Sequence, residues 1–76
     1  MTLDIITPDR TIFSGEVDSV ILPGSDGSFQ LLNNHAPIVA SLKAGEIRIQ
    51  TKEGEQKFEI KTGILECADN KVVVLA

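Results

Sequence analysis

The chain has 76 residues, enough for a single small domain spanning residues 1–76, and a chain of this length buries only about 60% of its unfolded surface, so its core is thin. Hydrophobic residues make up 42% but the only aromatics are Phe13, Phe29 and Phe58, so the core rests on Ile, Val and Leu, the residues that favour strands. The net charge is −4, and its excess lies in residues 1–42, where Asp4, Asp9, Glu16, Asp18 and Asp26 face only Arg10; this excludes phosphate backbones and anionic lipid as partners, and the scarcity of aromatics excludes base stacking.

The elements follow in chain order. Leu3 to Ile6 starts a strand that Pro8 stops, and Thr11 to Ser14 forms a second, broken near Gly15. Val17 to Leu22 makes a third, stopped by Pro23-Gly24; Phe29 to Leu32 is short and apolar; Pro37 opens Ile38 to Leu42. Glu46 to Gln50 and Lys57 to Lys61 alternate polar and apolar residues, which puts Ile47 with Ile49 and Phe58 with Ile60 on one face each. Lys52 to Glu55, with its glycine, is the hairpin turn between them. Ile64 to Cys67 and Val72 to Leu75 close the chain around a turn at Asp69-Asn70, which puts Ala76 at or near the edge of the fold. About eight to ten short strands at this spacing predict an all-β protein, an antiparallel β-sandwich or flattened barrel.

The single cysteine, Cys67, excludes an internal disulfide and fits a reducing compartment. It has no basic neighbour in sequence to activate it, so a buried core position is expected. The start lacks a signal peptide's basic and apolar regions, and no run approaches the ~18 apolar residues of a spanning helix. The expectation is a cytosolic protein that meets a membrane only through a partner.

Gly24 to Pro37, GSDGSFQLLNNHAP, concentrates turn-forming residues around the chain's only histidine. Ser25, Ser28, Asp26 and His35 supply the residue types of a hydrolytic triad, but nothing in their spacing enforces contact, and there is no GxSxG elbow. One His and one Cys cannot make a four-ligand zinc site, and the glycines lack the spacing of a phosphate loop. Neither a cofactor nor a metal is expected. What remains is a loop built for shape: Gly24, Gly27 and Asp26 favour a tight turn, and Pro37 biases Ala36 towards an extended form. His35 is then either a hydrogen-bonded turn residue or an exposed contact.

The ordered set Phe13-Ser14-Gly15, Val17, Pro23-Gly24, Gly27, His35-Ala36-Pro37, Leu42, Gly45 and Ile47-Arg48-Ile49, closed by Gly63 to Glu66 and Val72 to Leu75, resembles the N-terminal β-sandwich of the epsilon subunit of F-type ATP synthases over essentially the whole chain. The resemblance implies a non-catalytic central-stalk subunit that binds the gamma subunit and sits on the c ring, turning with them at the cytoplasmic face of the bacterial inner membrane. It implies partner contacts at Ser25, Asp26, Gly27, Ser28, Asn33, Asn34 and His35. Ile38, Val39 and Leu42 are further candidates on the sandwich face, although the pattern favours a core position for Leu42. Gln30 stands where many members have glycine, Asn33 where they often have proline, and Ser28 where they often have an acid. Nothing helical follows Leu75, so the inhibition and ATP binding associated with a C-terminal helical hairpin are not implied, whether the short form is natural or a fragment. Two rivals stand beside this reading: a free-standing sandwich that binds a ligand or a protein, and a small hydrolase using Ser28, Asp26 and His35.

Overall fold

All nine segments with strand character form strands, and the structure, a computed structural model, describes residues 1–76. They are β1 (Thr2–Ile6), β2 (Thr11–Glu16), β3 (Ser19–Gly24), β4 (Gly27–Leu32), β5 (Ile38–Leu42), β6 (Gly45–Thr51), β7 (Gly54–Ile60), β8 (Gly63–Ala68) and β9 (Lys71–Leu75). Three tight turns follow from their residues. Ser25-Asp26 and Lys52-Glu53 each lead into a glycine with positive φ, Gly27 at 131° and Gly54 at 121°. At Asp69-Asn70 both residues are left-handed, with φ of 52° and 59°, a geometry that matches the twist of a two-residue hairpin.

The strands run in the order β2-β1-β9-β8-β5-β3-β6-β7, with β4 beside β3. The sheet folds over at one corner, where β3 and β5 pair only through Gly24 and Leu42. Two backbone bonds of 2.9 Å, Ser25 N–H to the Ser41 carbonyl and Lys43 N–H to the Pro23 carbonyl, fix that corner. The inner faces of the two leaves share one core: Leu3, Ile5, Leu42, Leu65, Cys67, Val72 and Val74 from the first, Val20, Leu22, Leu31, Ile47, Ile49 and Ile60 from the second. Burying each of these larger aliphatic side chains contributes about 1.5–3 kcal/mol relative to exposure. At the open side, the Phe13 and Phe58 rings of the two terminal strands meet with centroids 5.6 Å apart.

Three details differ from the sequence expectation. β3 does not stop at Pro23-Gly24 but runs through both, paired with Ser28 and Gly27 of β4. Pro23 is tolerated because β3 leaves β6 after Ile21 and meets β5 only at Gly24, so the missing N–H falls between two ladders. β2 likewise continues through Gly15. The closing strand is not at an edge: β9 lies between β1 and β8 and pairs with β1 in parallel, and the Ala76 amide donates to the Ile6 carbonyl at 2.8 Å.

Candidate functional site

The β3–β4 turn leans over β5 and leaves an open cleft of about 370 Å³ lined by Gly24, Ser25, Asp26, Gly27, Phe29 and residues 38–41. The close approach depends on Gly24, because a Cβ there would lie 2.5 Å from the Gly27 carbonyl oxygen and 2.8 Å from the Phe29 ring. The Ser41 hydroxyl donates to Ser25 Oγ at 2.8 Å, tying turn to strand. Ile38 is half-buried and packs against the core, Leu42 is buried, and Val39 between them is 70% exposed. Strand alternation accounts for all three: of these Val39 alone points fully outward, and half-buried Ile38 lines the cleft.

Asn33, Asn34 and His35 form a second cluster at the far end of β4. Asn34 is left-handed, with φ of 63°, a conformation Asn tolerates better than most side chains. The amino group of Met1 donates to Asn33 Oδ1, the Asn34 amide donates to Asn70 Oδ1 at 2.7 Å, and the His35 amide donates to the Leu32 carbonyl at 3.2 Å. His35 is exposed and its Nδ1 lies 2.7 Å from the Ala36 carbonyl oxygen, which assigns the proton to Nδ1. It is thus both a hydrogen-bonded turn residue and an exposed group.

The expected contact residues therefore fall into two groups. Phe29–Leu32 of β4 lie between the Ser25–Ser28 tip and the Asn33–His35 turn, so that five steps of about 3.3 Å set Ser28 and Asn33 on the order of 17 Å apart. β4 pairs only with β3, so its other edge is free, and the two groups frame one polar rim with exposed Leu32 between them. Ser28, Asp26 and His35 are not joined by hydrogen bonds: the imidazole turns to Ala36 and the Ser25–Ser41 pair closes on itself. No three His, Cys, Asp or Glu side chains gather around a point that could hold a metal ion.

Sequence reasoning missed a third feature. On the outward face of the first leaf, Ile64 pairs with Leu75 and Leu75 with Ile6, so the three form one row across β8, β9 and β1. Ile64 and Leu75 are 53% and 55% exposed. Val39 and Val73 lie in the adjacent row on either side of Glu66. The run Val72-Val73-Val74-Leu75 held the signal, since an unbroken apolar strand has apolar groups on both faces.

The family described as ATP synthase, Delta/Epsilon chain, beta-sandwich domain matches residues 1–76. The chain belongs to that family. An ATP synthase epsilon chain of Chlorobium limicola is 47% identical over 74 residues, covering 96% of this chain and 84% of that one. The epsilon chain of Desulforamulus reducens is 42% identical over 74 residues, covering 97% of this chain but only 56% of its own length. Among solved structures, a Euglena gracilis mitochondrial ATP synthase comprising OSCP, F1 and c-ring contains a chain that matches with a TM-score of 0.89 at 21% identity, covering 97% of this chain and 48% of that chain. A Tetrahymena thermophila mitochondrial ATP synthase central stalk and c-ring gives 0.80 at 16% identity, covering 97% and 60%. At those identities the structures speak to the fold.

Within the delta/epsilon family pattern, the departures noted in the sequence have local consequences. Gln30 is exposed on β4 opposite Ile21 and continues the ladder. Asn33 uses its side chain to accept from Met1, a bond that proline could not make. Ser28 stands exposed beside the turn, with no charge of its own.

Proposed function

We propose that this domain is a non-catalytic rotor subunit in the central stalk of an F-type ATP synthase, where it binds the gamma subunit and the c ring and helps couple proton or sodium flow to ATP synthesis. The family membership supports the complex. The observation that carries the assignment of faces is the aliphatic row of exposed Ile64, exposed Leu75 and half-buried Ile6, with exposed Val39 next to Glu66 in the adjacent row, on the outside of a sandwich whose inside is already filled. An exposed aliphatic row of this kind, interrupted only in the next row by Glu66, suits a protein partner. In this reading gamma covers the aliphatic face, and the polar rim of Ser25, Asp26, Gly27, Ser28, Asn33, Asn34 and His35 meets the c ring. The cleft between Asp26 and Val39 lies where the two contacts adjoin.

The domain's contribution is mechanical. A body that turns with gamma and the ring must not shear, and 38 backbone hydrogen bonds within the strands, closed over a single aliphatic core, resist that. It needs no cofactor, and it meets the membrane only through the ring, at the cytoplasmic face. A persistent gamma contact requires roughly 800 Å² from each partner, which the outward face of a five-strand leaf can supply. The test is gel filtration of the domain with its cognate gamma subunit at micromolar concentration. Co-migration at 1:1 is expected; separate elution refutes the proposal.

A further inference from the structure

We infer that Asn70, in the β8–β9 turn, is a positioning residue for the Asn33–His35 end of the polar rim. The inference rests on the rotor reading above. Asn70 has φ of 59° and follows Asp69 at 52°. The second place of such a turn suits glycine, which adopts this conformation without steric cost. A side chain held there against that preference makes one contact that glycine cannot: Asn70 Oδ1 accepts the Asn34 amide at 2.7 Å, across 36 residues of sequence. Asn34 is itself left-handed, and its N–H is directed to Asn70, while the neighbouring amide of His35 is the one taken inside the turn by Leu32.

Two points of the first leaf thus hold the rim segment. Met1, at the head of β1, fixes the Asn33 side chain, and Asn70 fixes the Asn34 backbone. The Asn70 carbonyl also accepts the Thr2 amide at 3.2 Å, so β1, the β8–β9 turn and the rim meet at this residue. His35 has no other tether to the leaf: its ring bonds only to the adjoining Ala36 carbonyl. The direction in which the imidazole is presented therefore depends on Asn34, and through it on Asn70.

The experiment compares Asn70→Gly and Asn70→Asp with the wild-type domain. Glycine keeps the turn and the backbone bond to Thr2 but removes the acceptor; aspartate keeps the acceptor. Three readouts are taken: the urea midpoint, the exchange rate of the Asn34 amide by NMR, and affinity for a reconstituted gamma–c-ring subcomplex. For Asn70→Gly the expected result is an unchanged or higher midpoint, at least tenfold faster Asn34 exchange and at least threefold weaker binding, with exchange and binding restored towards wild type in Asn70→Asp. Unchanged exchange in Asn70→Gly overturns the tether. Faster exchange with wild-type affinity overturns the positioning role. A wild-type domain that fails to bind the subcomplex refutes the rotor reading itself, and that failure is distinct because it does not depend on the variant.

Discussion

Replacing Ile64 by threonine separates the aliphatic face from the core. Ile64 is 53% exposed in β8, between Leu75 of β9 and Ser41 of β5. Threonine keeps the branched Cβ that strands favour and replaces the ethyl group with a hydroxyl. If gamma covers this position, the exposed half of two carbons at about 0.8 kcal/mol each is lost to binding, and a buried hydroxyl adds about 1 kcal/mol, so complex formation weakens by roughly 2 kcal/mol. That corresponds to roughly 30-fold in Kd. In the isolated domain half of the side chain is already in water, so the fold loses less than about 1 kcal/mol. Urea unfolding measures the second quantity and titration calorimetry with the gamma subunit the first. Wild-type affinity in Ile64→Thr, or a stability loss as large as the binding loss, would refute the reasoning.

Gly24→Ala should destabilise the fold by about 1–3 kcal/mol, because the new methyl must displace either the Gly27 carbonyl or the Phe29 ring; a urea midpoint equal to wild type would show that the corner yields freely. Cys67 is buried, and desolvation pushes its thiol above the ordinary value of 9.0. Its raised folded value means that the stabilising contribution is complete below pH 9.0 and is lost as the pH rises through the folded value. The urea midpoint should therefore fall above about pH 9, with a smaller fall in Cys67→Ala, and the native thiol should react with a disulfide reagent far more slowly than in denaturant. Equal alkaline slopes in the two proteins would remove Cys67 as the cause.

The strands were legible because their residues alternate. Ile47 and Ile49, or Leu65 and Cys67, can be buried together only with a period of two. The turns were legible from Gly54 and from Asp69-Asn70. Pairing partners were not, because alternation says which face a residue takes and nothing about which strand lies beside it. Hence neither the parallel contact of β1 with β9 nor the passage of β3 through Pro23 is encoded in the alternation. The candidate site was legible as a list of residues but not as a shape. Ser25–Ser28 and Asn33–His35 are neighbours in sequence, yet an extended β4 sets them at opposite ends of an edge. Asn70 lies 36 residues from the amide it holds, beyond the reach of any local pattern.

The parallel placement of β9 has a cost in time. It fills the gap between β1 and β8, so the first strand waits for a neighbour that emerges from the ribosome after the other eight. At about 5–20 residues per second, that wait lasts several seconds. Throughout it, one side of β1 offers open backbone groups and the aliphatic stripe of Leu3 and Ile5 has no lid. A nascent chain in that condition is vulnerable to stray strand pairing, and the cell must either shield it or finish it quickly.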